Sequence, residues 1–220
     1  LRDFEQLKCL TFTGANNQNI EFISTIKNLE TLQLRYFKEN DVNGFKENSN
    51  LTTLLIDDSS KLNSLLGVDR LTKLVMLSIE NSKNITSLEE ISGMSSLQSL
   101  DLAGGDLTNV KIESLKPLTK LDSLESLQIS VTKVLDERLD YLGNLHCLKE
   151  LSLPNNFPTK EFALLSNKLK KTSCNLFQPY VDCGELGLMI TGKGKPFLKT
   201  EKQMQKLNKY VEDFQKFKNA

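Results

Sequence analysis

The 220-residue chain has no run of about 18 apolar residues, so no membrane-spanning helix is expected. It has one histidine, His146, and four cysteines, Cys9, Cys147, Cys174 and Cys183. None of the cysteines is spaced as Cys-x-x-Cys, and they do not form a dense disulfide framework. Reduced thiols and a cytoplasmic setting are therefore expected, although Cys174 and Cys183 lie close enough in sequence to meet. His146 beside Cys147 has no third ligand that stands out, so neither a metal site nor a nucleophile is expected there. The phosphate-loop pattern Gly-x-x-x-x-Gly-Lys-(Ser/Thr) is also missing. Gly192-Lys193-Gly194-Lys195-Pro196 fails it, because Pro196 has no N–H to donate, and reads as a tight turn. No cofactor is implied.

Net charge is absent too: 28 Lys+Arg balance 28 Asp+Glu. That balance hides a split. Residues 1–156 hold 16 Lys+Arg against 22 Asp+Glu, and residues 157–220 hold 12 Lys against 6 Asp+Glu. The first part is acidic and the tail is basic, and such a split marks different contact surfaces. The tail contains no arginine and no nucleic-acid-binding motif, so its lysines are expected to be solvated and nucleic acid is not an expected partner. Asn50-Leu51-Thr52 and Asn84-Ile85-Thr86 fit the glycosylation pattern, which matters only in a secretory protein. The chain opens at Leu1 within a repeat pattern, as a trimmed or mature fragment would.

What is abundant is leucine at fixed spacing. The pattern Leu-x-x-Leu-x-(Leu/Ile/Phe) starts at Leu7, Leu29, Leu51, Leu74, Leu97, Leu124 and Leu148. A period in the low twenties carrying this pattern is the signature of leucine-rich repeats. Within Leu74-Val75-Met76-Leu77-Ser78-Ile79, the alternation of Leu77 and Ile79 predicts a strand. Leu71 before it and Ile85, Leu88 and Ile91 after it, spaced by three, predict a 3₁₀ or helical return. One such unit cannot bury its apolar face alone. Stacked units bury it as a continuous ladder.

The repeats resemble the 22-residue class of leucine-rich repeats, the kind found in a regulatory subunit of protein phosphatase 1. The fuller pattern Leu-x-x-Leu-x-x-Leu-x-Leu-x-x-Asn is clearest at 71–82, 94–105 and 145–156. The implied fold is α/β: a right-handed solenoid of seven repeats over residues 1–156, with a parallel sheet on its concave side. Only Asn156 fills the asparagine slot; the others hold Ala15, Phe37, Ser59, Ser82, Gly105 and Thr132. Serine and threonine can do part of the asparagine's work on buried backbone, so irregular turns are expected after Phe37 and Gly105. The stretch 35–50 lacks clear leucine spacing. The 27-residue step after Leu97 includes Lys116-Pro117 and reads as a convex-side insertion.

The pattern ends at Asn156, and residues 157–220 read as a C-terminal α/β cap. Such a unit covers the open end of a solenoid. Thr159 is placed as the N-cap of a helix over about 160–170. Strand character follows at Leu176-Phe177, Tyr180-Val181 and Leu188–Ile190. A last amphipathic helix over about 200–218 opens with a capping box at Thr200 and Gln203. Its apolar stripe is Met204, Leu207, Val211, Phe214 and Phe217. The segment is similar to the endings of uncharacterised bacterial leucine-rich-repeat proteins, which carries no function over.

The residues between the leucines are the candidate binding surface. They fall in three outward rows: Cys9, Thr31, Thr53, Met76, Ser99, Ser126, Glu150; Thr11, Gln33, Leu55, Ser78, Asp101, Gln128, Ser152; and Thr13, Arg35, Asp57, Glu80, Ala103, Ser130, Pro154. Leu55 and Met76 are apolar positions expected to be exposed on an otherwise polar face, beside Asp57, Asp58, Glu80 and Asp101. The expected function is a non-catalytic protein-interaction module. Its site would use Leu55 and Met76 as anchors, Arg35, Tyr36, Asp57, Glu80 and Asp101 for charge complementarity, and Gln128 further along the face. The carboxylates could in principle hold a cation, but a smooth sheet face implies no deep pocket, so no metal is expected. Two other classes stay open: an assembly component docking through its basic tail, and an enzyme or effector in the C-terminal segment using Tyr180, Asp182 and Lys195.

Overall fold

A computed structural model describes residues 4, 6–104, 110–130 and 132–220. In chain order it has strand β1 (Cys9–Thr13), helix α1 (Asn17–Ser24), β2 (Thr31–Arg35), β3 (Thr53–Asp57), β4 (Met76–Glu80), β5 (Ser99–Ala103), β6 (Val110–Ile112), β7 (Ser126–Ser130), β8 (Thr132–Val134) and β9 (Glu150–Ser152). Then come α2 (Thr159–Lys168), β10 (Tyr180–Asp182), β11 (Leu188–Ile190), β12 (Phe197–Leu198), α3 (Glu201–Met204) and α4 (Leu207–Lys218). Strands β1, β2, β3, β4, β5, β7 and β9 form one parallel sheet in that order.

Each repeat builds its strand for the same reason. The second leucine and the residue two positions on point inward, and the residues between them point out. Leu77 and Ile79 are buried while Met76 and Glu80 are exposed. The register places every leucine beside its counterpart, so Leu32, Leu54, Leu77, Leu100, Leu127 and Leu151 make one continuous buried row. Burying each such side chain is worth about 1.5–3 kcal/mol relative to exposure. The chain returns through α1 in the first repeat, and later through 3₁₀ turns such as Asn43–Phe45, Glu89–Ile91 and Lys116–Lys120. The stretch 35–50 follows this scheme with Val42 and Phe45 in place of leucines, and Phe45 packs against Phe37.

The asparagine slot is filled by other means. Ser59 is fully buried; its hydroxyl donates to the Asp57 carbonyl at 3.0 Å and accepts from the Phe37 N–H at 3.1 Å. One serine thus ties two neighbouring turns, and the turn at Phe37 borrows its hydroxyl from the next repeat. Ser82 makes the matching bond to the Glu80 carbonyl at 3.3 Å. Gly105 lies outside the described residues. The extra length of the 27-residue step falls ahead of Lys116-Pro117, between Ala103 and Lys116. Pro117 itself sits buried in an ordinary 3₁₀ return, where its fixed φ suits the first turn. The added length accompanies a small parallel pair, β6 with β8.

The two ends of the sheet differ. In the first repeat Leu7, Leu10 and Phe12 are only partly buried. At the other end, Ser173 bridges to Glu150 and continues the ladder by one residue: the Leu151 N–H donates to the Ser173 carbonyl at 2.9 Å, and the Ser173 N–H to the Lys149 carbonyl at 2.8 Å. Helix α2 packs against the last 3₁₀ return, Asp140–Asn144, and α4 packs against α2 with Phe214 fully buried. Thr159 is the first residue of α2 rather than its cap. Its hydroxyl donates to the Thr191 carbonyl at 2.9 Å, so it is used to hold the C-terminal sheet. Leu176-Phe177 forms a turn, not a strand, because the three antiparallel strands are β10, β11 and β12. The Thr200–Gln203 capping box forms, but the final helix is broken at 205–206 into α3 and α4. All four cysteines are free thiols.

Candidate protein-binding face

The three outward rows are the rows of the parallel register. Thr31, Thr53, Met76, Ser99, Ser126 and Glu150 are consecutive partners; so are Gln33, Leu55, Ser78, Asp101, Gln128 and Ser152; and so are Arg35, Asp57, Glu80, Ala103 and Ser130. Adjacent strands stand roughly 4.8 Å apart. Residues as distant in sequence as Arg35 and Glu80 are therefore brought within two strand spacings of each other. Pro154 falls beyond the paired segment.

A chain of side-chain contacts runs across the first three strands. Thr11 donates to Gln33 Oε1 at 3.2 Å, and Gln33 Nε2 donates to Asp57 Oδ2 at 2.7 Å. The Arg35 guanidinium lies 3.8 Å from that same oxygen. One step along the rim, Asn81 donates to Asp58 Oδ1 at 2.9 Å. Among the described residues Glu80 has no ion-pair partner, and its carboxylate is exposed. Asp101 is mostly covered, with Oδ1 buried and without a hydrogen-bond partner. Burial pushes its carboxyl above the ordinary value, while a hydrogen bond with Ser78 pulls the other way. Over the three rows the only cation is Arg35, against the carboxylates of Asp57, Glu80, Asp101 and Glu150.

The apolar members are placed unequally. Met76 is 41% exposed, and Tyr36 at the rim is 55% exposed. Leu55 is half-buried in its row and offers less apolar area than expected from the sequence. Tyr36, Asp58 and Asn81 occupy equivalent turn positions just after their strands, and all have positive φ, as Gly14 does. Their N–H groups donate to the next strand's last carbonyl, Tyr36 to Asp57 at 3.0 Å and Asp58 to Glu80 at 3.0 Å. The turn thus demands a left-handed residue. Asparagine and aspartate tolerate this; a tyrosine does so only at a cost.

Gln128 pairs with Asp101 across β5 and β7 and lies nearest the C-terminal end of the eight candidates. There the face meets a wall formed by 173–176 and by Val181 and Met189, which are paired across β10 and β11. The corner is open to solvent and has a volume of about 450 Å³. Asn155 fixes the corner by donating to the Ile190 carbonyl at 2.8 Å and accepting from the Gly192 N–H at 2.6 Å. The outward rows contain its floor, but the wall depends on contacts across some 30 to 60 residues, and no spacing in the sequence announces it. Cys174 lies in this wall, with its thiol pushed up by burial. His146 and Cys147 are both exposed. Among the described residues no group of three or more His, Cys, Asp or Glu side chains is arranged to hold a metal ion, and no helix is long and apolar enough to cross a membrane.

No protein-family model and no curated protein matches the chain. Solved structures do. An internalin, InlF, of Listeria monocytogenes superposes with a TM-score of 0.63 at 20% identity, over 77% of this chain and 47% of that one. A leucine-rich-repeat protein of Leptospira interrogans gives 0.57 at 20% identity, over 77% and 42%. The plant peptide hormone receptor RGFR1, solved in complex with RGF2, gives 0.50 at 17% identity, over 78% and 32%. The chain therefore spans about half the length of the internalin InlF. At these identities the likeness is one of fold, and the chain has the leucine-rich-repeat fold, an α/β solenoid lined by a parallel sheet.

Proposed function

We propose that the chain is a non-catalytic protein-interaction module whose concave face binds a basic protein surface. The observation that carries this reading is the composition of the outward rows: four carboxylates against one guanidinium, with Met76 and Tyr36 exposed beside them. Apolar groups ringed by polar ones are the usual make-up of an interface centre, and like-signed charge around it selects the partner. In this reading Met76, Tyr36 and the accessible part of Leu55 are the anchors. Asp57, Glu80 and Asp101 face cations of the partner. Arg35 and Gln33 hold the Asp57 carboxylate in place, and Gln128 extends the contact toward the C-terminal corner. A receptor of similar fold is solved with a peptide hormone, which also favours recognition.

The test is crosslinking capture from a native lysate, followed by binding assays on the captured protein. Joint charge reversal of Asp57, Glu80 and Asp101 is expected to weaken binding at least tenfold. Since Asp57 also anchors Gln33 and Arg35, a second variant, Met76→Glu with Glu80→Lys, leaves that network intact and should weaken binding similarly. Undiminished affinity in both variants, with unchanged circular dichroism, would overturn the reading.

A further inference from the structure

The corner between the concave face and the C-terminal sheet has a composition the rest of the face lacks. Its volume, about 450 Å³, lies within the range of pockets that hold a small ligand or a large side chain. One charged residue lines it, Glu150, and among the described residues that carboxylate has no ion-pair partner. The neighbouring acid Glu125 is taken by Lys149 at 2.7 Å, so Lys149 is not the missing cation. The partly buried Val181 and Met189 line the same corner, and Ser126, Gln128 and Ser152 supply polar groups on its floor. Two apolar side chains and one unpaired carboxylate in the same corner are complementary to a side chain with an alkyl stem and a cationic head.

We infer that this corner is a subsite for a single lysine or arginine side chain of the partner protein, its stem against Val181 and Met189 and its head on Glu150. The inference rests on the reading of the concave face as protein-binding and adds a defined position to it. Glu150 lies two strand spacings from Asp101 across β5, β7 and β9 and two residues along the strand from the row of Asp101, roughly 12 Å in all. An extended segment advances roughly 3.3 Å per residue, so one basic residue can occupy the corner while another, about four positions away, faces Asp101. The wall that makes the corner is contributed by residues after 157, so the C-terminal segment would shape specificity as well as cover the sheet edge.

The test uses the full chain and short capped peptides, Gly-Ser-Lys-Gly-Ser, its arginine counterpart and its norleucine counterpart, titrated by backbone NMR. The lysine and arginine peptides are expected to shift the amides of Glu150, Cys174, Val181 and Met189. The norleucine peptide, with a similar stem and no charge, should bind at least tenfold more weakly. Glu150→Gln should weaken the lysine peptide about tenfold, whereas joint Asp57→Asn, Glu80→Gln and Asp101→Asn should change it less than twofold. Equal binding of the norleucine peptide, an unaffected Glu150→Gln variant, or shifts confined to β3–β5 would each overturn the inference. The last result would leave the concave-face reading standing. Conversely, lysine binding in the corner together with full partner affinity in the charge-reversed central face would sink that reading and keep the subsite.

Discussion

Residues 7–153 and residues 157–220 reach their structures by different means. In the repeats one unit is solved once and reused. Leu77 sits on Leu54 and Leu100 as Leu54 sits on Leu32, and each turn N–H finds the next strand's carbonyl. The end segment has no such neighbour to copy. It is held by particular contacts: Phe162 edge-on to Phe157 at 5.9 Å, Thr159 to Thr191, Asn155 to Ile190 and Gly192, the Lys193 N–H to the Phe157 carbonyl at 2.7 Å, and an ion pair between Lys193 and Glu137. A reused contact spreads the consequence of one change along the ladder, because solenoid stability is a sum of units and nearest-neighbour interfaces. A particular contact concentrates it in one joint.

The largest expected effect probes the ladder. Leu77 is fully buried in the middle of the sheet. Leu77→Ala should cost about 2–5 kcal/mol in denaturant unfolding, as buried Leu→Ala changes do. A loss well below this range would mean that the repeats relax around the cavity and are less tightly coupled than their register suggests. The joint is probed by Gly192→Ala. Gly192 has φ of 127°, and a Cβ there would collide with Thr159 Oγ1. The backbone cost is about 1–3 kcal/mol, and displacing Thr159 also weakens its bond to the Thr191 carbonyl. The loss should appear as increased hydrogen exchange in β10–β12 and α2, with the amides of β2–β5 protected as before. Uniform loss of protection across both regions would erase the distinction between ladder and joint.

The same contrast decides what could be read from the sequence. Repeat steps of 22 to 27 residues placed the strands and the outward rows, because register in a stacked fold follows from the recurring pattern itself. Relative exposure on the face did not follow. Leu55 is half-buried while Met76 is open, and that depends on how the neighbouring side chains lean. At Phe37 the slot itself lacks asparagine, and the hydroxyl that meets its N–H comes from Ser59, one repeat away. Beyond Asn156 local propensity named the helices but misassigned Thr159 and Leu176-Phe177. Their conformations are set by partners distant in sequence. The corner at Glu150 was invisible for the same reason.

A positive φ is used in both regions, and Tyr36 gives the converse of the Gly192 experiment. Its φ is 51°, in a turn where Gly14 fills the equivalent position of the preceding repeat. Tyr36→Gly should therefore stabilise the fold, by about 1 kcal/mol, since the left-handed conformation is costly for a tyrosine and free for glycine. If Tyr36 is an anchor of the face, the same variant should bind the captured partner more weakly. A stabilised variant with undiminished binding would remove Tyr36 from the site and leave Met76 as the main apolar contact.

The smallest effect concerns Asp101, where the proposed site and the stability of the ladder oppose each other. Burial raises its carboxyl above the unfolded value, against the pull of Ser78. The folded state then binds a proton more readily than the unfolded chain does, so this residue's contribution to stability falls as pH rises through the interval between the ordinary and the raised values. Above that interval the folded protein carries an incompletely solvated carboxylate, with Oδ1 lacking a partner. Asp101→Asn should accordingly raise the denaturation midpoint slightly at pH 7, and the advantage should shrink as the pH is lowered below the ordinary carboxylate range. If the midpoint drops at pH 7 instead, the ionised carboxylate is stabilised by Ser78 more than burial penalises it. A cation of the partner placed at Asp101 would supply the missing contact, so the wild-type chain should gain more from partner binding at pH 7 than Asp101→Asn does.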